Sequence, residues 1–538
     1  MVSADLILTG ATVVTVDPGQ PRAEAVAVRG DRILAVGSRD DILALRGSRT
    51  EVLDLRGKTV LPGFHDAHDH MLNFGMHLST VSLRLPDVGA IVAKLRERAQ
   101  SLAPGTWVVG TGYDNNKLPG GQHPTRWDLD KVSTDHFVVA RQNSGHMCVA
   151  NSRALADAGI GRDTPDPEGG LIVRDEHGEP TGLLQEHAQG LLRQPGYPYP
   201  TDQIVAALRA ASDVYLREGI TGHTEAGIGH HSPIELDAYR QAVDQGAMRI
   251  RSVLMVHVSQ VQRIGDFFGL QQGIRTGWGD DWLRIGPLKM FSDGSLIGRT
   301  AAMHDPYAPE PENAGFFATP PDRLRQWCID GHRSGWQLAT HAIGDRAVDY
   351  MLDCYEEAMR LHPRPDPRHR IEHCGVVSPA TLLRIKRLGV IPVPQQHFIG
   401  AIGDGMKRSL GEARARWCYP QRSYLDHGIP LPGSSDRPVV DGAPLLGIHD
   451  AVNQKTGSGA DYQPEERLTV EEAIAAYTVG SAYASGEENR RGRVRAGLLA
   501  DFTILAADPT RVSPGEIAAI PVAATIVGGR IQFDEGLR

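Results

Sequence analysis

The feature that most constrains the fold of this chain is an alternation of short apolar strands with helix-length segments beyond residue 200. Seven strand-like runs occur at 220–223, 250–256, 283–289, 337–341, 370–373, 390–393 and 429–431. Val60 and Leu61, which precede the alternation, complete a count of eight. Eight strands separated by helices are the number for a closed parallel barrel. The sequence therefore predicts an α/β protein built on a TIM (β/α)8 barrel over residues 61–71 and 196–485.

Both ends of the chain differ from this middle part and consist of short β-type runs separated by glycine. Such runs lie at 12–16, 25–28, 52–55, 501–505 and 524–527. Apolar and β-branched residues bounded by turn residues are typical of strands. We therefore expect residues 1–60 and 486–538 to form one small β-sandwich domain beside the barrel.

Residues 72–195 interrupt the alternation after the first barrel strand. This stretch is rich in glycine, proline and aromatic residues. A loop of that length without structure of its own is implausible inside a compact domain. The sequence predicts an inserted subdomain that covers the C-terminal face of the barrel, where the βα connections emerge.

Composition and charge restrict the partners. The 538 residues are 41% hydrophobic and 22% charged, with a net charge of −9 and no lysine- or arginine-rich run, so nucleic acid is not expected as a partner. No apolar run approaches the roughly 18 to 20 residues that a membrane helix needs, so a membrane is not expected either. Five widely spaced cysteines without a Cys-x-x-Cys, and an N-terminus without a signal-peptide pattern, predict a cytoplasmic protein.

A His-x-His pair, His68 and His70, follows the first apolar run. Residues i and i+2 of a strand point to the same side, so both imidazoles can face one point while Asp69 faces away. Neutral imidazole is a common ligand for zinc and related metals. Taken alone, the pair fits surface or core histidines equally well.

Four more groups favour the metal site, because each lies at the end of a later predicted strand. They are Lys289, His341, His373 and Asp436. All strand C-termini of a parallel barrel converge on one face, so these groups should meet the His-x-His pair there. For Asp436 alone, a role as a turn residue stays an alternative, since it lies in a Gly-Ser-Ser-Asp-Arg-Pro loop.

The sequence phrases around these groups resemble the amidohydrolase superfamily of metal-dependent hydrolases. Within it they are similar to the YtcJ-like branch that contains N-substituted formamide deformylase. The phrases are LPGFHDAHDH at 61–70, RQNSGH at 141–146, NSRAL at 151–155, KMFSDGSL at 289–296, THAIGDRA at 340–347, IEHC at 371–374 and GSSDRPV at 433–439.

The resemblance implies a divalent metal cofactor, expected to be Zn²⁺, with one or two ions. His68 and His70 would hold one ion, and His341 and His373 a second. Lys289 would be carboxylated by CO₂ (N6-carboxylysine) to bridge the two, because an ammonium group offers only donors. The alternative is an ordinary Lys289 ammonium paired with Asp293, with a single ion.

Asp436 would contact the metal and act as proton shuttle in the hydrolysis of a C–N bond. A bound zinc lowers the pKa of water from about 15.7 to about 7, which makes a metal-bound hydroxide available. The expected substrate is a small molecule with an amide or formamide group. Deamination, or hydrolysis of an ester, carbamate or C–C bond, stays an alternative on the same fold, as does a catalytically silent binding protein. Relatives also suggest a homodimer.

Further candidates are less specific. His146 could hydrogen-bond the substrate carbonyl or its oxyanion, or could simply pack. Substrate contacts are predicted for Trp107, Tyr113, Asp114, Phe291 and Arg299, although aromatic residues of an irregular subdomain also form its core. His223 could reach the pocket, and His230 and His231 are expected on a loop after the second barrel strand.

Overall fold

The computed structural model describes residues 3–192, 199–229, 234–258 and 274–537. Three β-sheets organise these residues. The strands in this part of the chain are β1 (Ala4–Val14), β2 (Arg22–Arg29), β3 (Arg32–Gly37), β4 (Arg46–Asp54), β5 (Thr59–Pro62), β6 (Phe64–Asp69), β7 (Val81–Ser82), β8 (Trp107–Tyr113), β9 (Phe137–Gln142), β10 (Met147–Ala150), β11 (Gly170–Arg174), β12 (Pro180–Glu186), β13 (Ile220–Ile228), β14 (Arg251–His257), β15 (Leu283–Phe291), β16 (Leu338–Ala342), β17 (Arg370–His373), β18 (Ile391–Val393), β19 (Phe502–Leu505), β20 (Val522–Val527) and β21 (Arg530–Asp534).

Helices connect and cover these sheets. In the described ranges they are α1 (Arg39–Leu43), α2 (Met71–His77), α3 (Val88–Ala99), α4 (Arg126–Asp130), α5 (Ser152–Asp157), α6 (Thr201–Arg217), α7 (Glu235–Asp244), α8 (Pro321–Arg333), α9 (Asp345–Leu361), α10 (Pro379–Leu388), α11 (Phe398–Leu410), α12 (Glu412–Ala415), α13 (Gln421–Asp426), α14 (Pro444–Asn453), α15 (Val470–Ala475) and α16 (Ser481–Ala484). No helix of this part of the chain is both long and apolar enough to cross a bilayer.

The first and last strands of the chain form one eight-stranded sheet. Its order is β21-β20-β19-β5-β1-β2-β3, and β4 also pairs with β1. Val28 of β2 and Ile33 of β3 share a hydrophobic core with Ile504 of β19 and Ile526 of β20. These strands are far apart in the strand order of the sheet but meet in one core, so the sheet curls around that core.

The first barrel strand lies later in the sequence than predicted. Val60 and Leu61 belong to the terminal sheet, where β5 pairs with β1 and β19. The barrel begins with β6, after Gly63, whose Cα lies so close to Thr221 that an added Cβ would be 2.1 Å from its Oγ1. The assignment of Val60 and Leu61 to the barrel is therefore wrong. Both strands are fully buried, so apolar periodicity does not separate them.

Seven parallel strands form the barrel sheet, in the order β18-β17-β16-β15-β14-β13-β6. The predicted eighth strand, 429–431, has no regular strand pairing. The segment that follows closes the gap instead. Ala67 N–H donates to the Gly433 carbonyl at 2.9 Å, and Asp436 N–H donates to the His68 carbonyl at 2.8 Å. The predicted α/β barrel fold is confirmed, with this irregular closure.

Helices pack around the barrel through one apolar face each. In α9 the buried residues Ala347, Val348, Met351, Leu352 and Tyr355 follow helical spacing. They share a core with residues of α8 and with the outer faces of β15, β16 and β17. This packing holds the strands in register, with Phe291 beside His341 and Ala342 beside His373.

Residues between β6 and β13 contain a sheet of their own, in the order β11-β12-β10-β9-β8-β7. Apolar side chains cover both of its faces. Leu83, Ile91 and Val138 lie in the core on one face, and Val139 and Leu184 in the core on the other. The sheet therefore has its own hydrophobic cores and is not a loop.

A buried ion pair joins the barrel to the terminal sheet. Nε and Nη2 of Arg251, at the start of β14, lie 2.7 and 3.0 Å from the carboxylate oxygens of Asp501, just before β19. The two side chains are 2% and 4% exposed. The Arg251 guanidinium also lies over the ring of Trp282 at 4.7 Å.

Replacing Arg251 with alanine should be strongly destabilising, because the Asp501 carboxylate stays buried without its cation. We expect the free energy of unfolding to fall by about 3 to 5 kcal/mol, measured by urea denaturation. Arg22→Ala is the matched control. It removes a partly exposed pair with Asp508 and should cost less than about 1 kcal/mol. Equal losses in both variants would contradict this role of the buried pair.

Candidate metal centre

The His-x-His pair lies at the end of β6, with both rings facing one carboxylate. Nε2 of His68 is 3.4 Å from Oδ1 of Asp436, and Nε2 of His70 is 3.3 Å from the same oxygen. Asp69 points to the other side, where its Oδ1 accepts from Nδ1 of His223 at 2.8 Å. Strand alternation thus separates the two faces as the spacing requires.

Asp436 reaches this position through the segment that closes the barrel. Its backbone N–H is bonded to the carbonyl of His68, and its φ of 58° is in the left-handed region that non-glycine residues seldom adopt. Although burial raises the pKa of Asp436, the imidazoles of His68 and His70 hold it well below the usual range. The side chain is therefore a carboxylate at neutral pH.

Three histidines each have one ring nitrogen fixed as a donor. His68 Nδ1–H donates to Glu372 Oε2 at 2.5 Å, and His373 Nδ1–H donates to Gln395 Oε1 at 2.7 Å. His341 Nε2–H donates to the carbonyl of Gly294 at 3.1 Å. Since these acceptors carry no proton, the second nitrogen of each ring keeps its lone pair. That is the form in which histidine binds a metal.

The ligand atoms of His68, His373 and Asp436 lie within 4.8 Å of one another. His341 is adjacent, with its ring centroid 4.5 Å from that of His373. Nε2 of His68 is buried and has no hydrogen-bond partner among the described residues. A divalent cation bound by imidazole and carboxylate fits this donor set, because it would satisfy that orphaned nitrogen.

The side chain of Lys289 extends into the same buried region. Its Nζ is fully buried, has no hydrogen-bond partner within the described ranges, and lies 4.7 Å from the ring centroid of Phe291. Burial lowers the pKa of Lys289 to about 8, although the carboxylates of Glu372 and Asp436 oppose this shift.

The alternative pairing of Lys289 with Asp293 is not observed. The Asp293 carboxylate instead accepts backbone N–H groups of Ala302, Ile343 and Gly344 at 2.9 to 3.1 Å. Burial raises the pKa of Asp293 to about 7, against the effect of these hydrogen bonds. Asp293 therefore joins the loops after β15 and β16.

Glu372 holds the first histidine of the His-x-His pair through buried hydrogen bonds. Its carboxylate binds Arg370 twice, at 2.7 and 2.9 Å, as well as His68. Arg370 also donates to the carbonyl of Ala67 at 2.7 Å. Burial raises the pKa of Glu372, but Arg370 and His68 together hold it well below the usual range. The charge that results keeps His68 in one tautomer.

A cavity opens above these ligands, and His146 from the inserted sheet lines it together with His341, His373 and Asp436. The ring centroid of His146 is 5.2 Å from that of His341. Most of the remaining wall is apolar and is formed by Leu296, Ile297, Ile343, Phe398, Ile402, Met406 and Val439, and Ser144, Ser295 and Tyr419 add hydroxyl groups. No lysine or arginine lines the cavity among the residues that the structure describes.

Most of the predicted substrate contacts have other partners. Trp107 stacks on Phe137, and Tyr113 is buried in the core of the inserted sheet, where its hydroxyl bonds to His123. Asp114 accepts from the backbone of Asn116 at 3.0 Å and so begins a 3₁₀ turn. None of these three is part of the cavity wall described above.

Of the remaining candidates, one reaches the candidate metal centre and others have different partners. Arg299 pairs with Glu310 at 2.6 Å. Phe291 does reach the metal centre, with its ring 5.3 Å from that of His341. His223 is buried between Asp69 and Ser252. His230 and His231 lie outside the described residues.

Several residues of the centre were missed from sequence. Glu372 and Gln395 hydrogen-bond to His68 and His373, two histidines of the candidate site, and Glu186 bonds to His146 at 2.7 Å. Glu372 is adjacent to His373 in the quoted motif, which is a usable signal. Gln395 and Glu186 have none, because their partners lie 22 and 40 positions away.

Comparison with known proteins agrees with this geometry. The chain matches the sequence profile of the Amidohydrolase family over residues 51–533. It is 32% identical over 483 residues to YtcJ of Bacillus subtilis, covering 88% of this chain and 89% of that protein. It is 30% identical over 545 residues to the N-substituted formamide deformylase of Arthrobacter pascens, covering 98% of each.

Among solved structures, an uncharacterized metal-dependent hydrolase from Pyrococcus horikoshii superposes with a TM-score of 0.74 at 26% identity, covering 95% of this chain and 99% of that one. The fold and the site therefore define a metal-dependent hydrolase. More particularly, the chain belongs to the amidohydrolase family, and the resemblance seen in its motifs is confirmed.

Substituting Gln395 with alanine should weaken metal binding, because His373 loses the acceptor that orients its ring. Loss of such an outer partner costs about 10-fold to about 100-fold in metal affinity. Competition with a chromophoric chelator measures that affinity. Gln326→Ala removes an exposed bond to Asp330 and should bind metal as the wild type does. Unchanged affinity in Gln395→Ala would contradict the role assigned to Gln395.

Proposed function

We propose that this protein is a metal-dependent amidohydrolase that cleaves the C–N bond of an amide or formamide group in a small molecule. The observation that carries the proposal is the position of the Asp436 carboxylate, within 3.4 Å of two imidazoles and in the wall of a cavity. Similarity to the N-substituted formamide deformylase of Arthrobacter pascens supports this reaction class.

His68, His70, His373 and Asp436 would hold the metal, and Zn²⁺ suits a set of imidazoles and one carboxylate. When bound, such an ion polarises the substrate carbonyl and lowers the pKa of water to about 7. His341 and Lys289 are the residues available for a second ion. A carbamate formed from CO₂ and the neutral amine of the buried Lys289, with release of one proton, would give this side chain an anionic oxygen ligand.

The chain's own groups account for the proton transfers. Asp436 is ionised, so its carboxylate accepts a proton from the attacking water molecule and delivers it to the leaving nitrogen. His146 also lines this cavity and can donate a hydrogen bond to the substrate oxygen. The products are a carboxylic acid (formate from a formamide) and an amine.

Removal of the metal should abolish turnover. We expect treatment with a chelator to reduce hydrolysis of a formamide panel to background, and Zn²⁺ or Mn²⁺ to restore it. Asp436→Asn should lower kcat by about 10²-fold to about 10⁴-fold. Asp353→Asn, at an exposed pair with Arg384, is the matched control. Full activity in metal-free protein would rule the proposal out.

The apolar wall predicts which substrates are accepted. Phe398, Ile402 and Met406 follow i, i+4 spacing on α11 and form one face of the cavity. We expect N-butylformamide to be hydrolysed with a kcat/KM at least about tenfold above that of N-(2-carboxyethyl)formamide of the same length, because the described wall offers a buried carboxylate no lysine or arginine to pair with.

Ile402→Arg should narrow or reverse that ratio, and Ile402→Val should preserve it. The two substrates are compared by amine release under identical conditions. If the wild type prefers the carboxylate substrate, the apolar wall does not select the substituent.

A further inference from the structure

Glu186, the last residue of β12, lies where the inserted sheet meets the barrel. Its side chain is 6% exposed, and its partner His146 is 16% exposed. The two residues are bonded twice. Glu186 N–H donates to the His146 carbonyl at 2.7 Å, and His146 Nδ1–H donates to Glu186 Oε2 at 2.7 Å.

The second carboxylate oxygen of Glu186 is held by the barrel. Oε1 accepts from the hydroxyl of Thr300 at 2.7 Å, in the loop after β15. That carboxylate packs directly on Gly294, where an added Cβ would lie 2.3 Å from Oε1 and 2.2 Å from Thr300 Oγ1. The carbonyl of Gly294 in turn accepts from His341. Glu186 therefore fixes His146 relative to the metal centre.

The backbone of Glu186 is strained. Its φ is 49° and its ψ is −126°, a conformation that residues with a side chain rarely adopt. Such strain persists only where the surroundings enforce it, and it is concentrated at functional sites. Here it turns the carboxylate toward both His146 and Thr300.

We propose that Glu186 is a positioning residue that makes His146 a fixed part of the catalytic machinery. With Nδ1 engaged by Glu186, Nε2 is the nitrogen left for the cavity, and it has no hydrogen bond to any described residue. The inserted sheet thus supplies a polar group for the substrate in the same cavity wall as Asp436. This inference rests on the proposed function, because it concerns the same reaction.

A double-mutant cycle tests whether the two residues act as one unit. We expect Glu186→Ala to lower kcat by about tenfold to about a hundredfold while KM changes by less than about threefold. In a His146→Ala background the same substitution should have no further effect. Glu186→Gln should retain most activity, because its amide oxygen can still accept from Nδ1–H.

A second double-mutant cycle leaves the Glu186 side chain intact. Thr300→Val should lower kcat by about fivefold, the effect of one hydrogen bond, and should have no effect once His146 is alanine. The control is Glu176→Ala, a carboxylate on the exposed turn before β12 that is 87% exposed. If the reductions in kcat caused by the two single substitutions multiply in the double variant of both cycles, the proposal is overturned.

A readout that needs no turnover separates this inference from the proposed function. In ¹⁵N-histidine spectra, with the His146 signal assigned by its loss in His146→Ala, we expect an Nδ1-protonated ring in the wild type and in Glu186→Gln. Glu186→Ala should shift that ring toward the Nε2–H tautomer. An unchanged His146 signal would overturn the positioning role, whereas a wild type that hydrolyses no amide would reject only the proposed function.

Discussion

The structure depends on how the barrel closes. Seven regular strands leave one gap, and the segment from Gly433 to Asp436 fills it with backbone hydrogen bonds to β6. These bonds place Oδ1 of Asp436 3.4 Å from Nε2 of His68 and 3.3 Å from Nε2 of His70. Without them the carboxylate and the histidine pair, more than 360 positions apart, would have no fixed relation. The irregular backbone, with its positive φ at Asp436, turns the side chain into the cavity.

Buried charge determines the chemistry of the ligands. Arg370, Glu372 and His68 form a chain of fully buried groups in which Glu372 binds the guanidinium on one side and accepts from Nδ1–H of His68 on the other. Gln395 does the same for His373 with a neutral amide. Charged or polar groups without such partners would be costly in this interior. Hydrogen bonds on one nitrogen of each imidazole therefore orient the ring, and the other nitrogen stays available for a metal.

The alternation of strands and helices was enough to predict a parallel barrel, although its first strand begins later than predicted and its eighth strand is irregular. Because the C-termini of parallel strands lie on one face, the barrel also brings His68 and His373 together. Asp436 reaches them through the irregular segment that closes the barrel. Periodicity failed at Val60 and Leu61, since a strand buried in either sheet has the same apolar pattern. For Trp107 and Tyr113, aromatic residue type alone does not reveal which side chains face a cavity and which pack within the inserted sheet, where the structure places both. Glu186 and Gln395 act only through distant partners, and a single sequence contains no sign of those pairings.

If His68, His70, His373 and Asp436 bind one divalent cation, anomalous diffraction at the zinc edge from crystals of the zinc-loaded protein will locate it. We expect an anomalous peak within coordination distance of these four side chains, with Nδ1 of His68 still bonded to Glu372. A peak elsewhere in the molecule, or no peak in protein that hydrolyses its substrate, would contradict it.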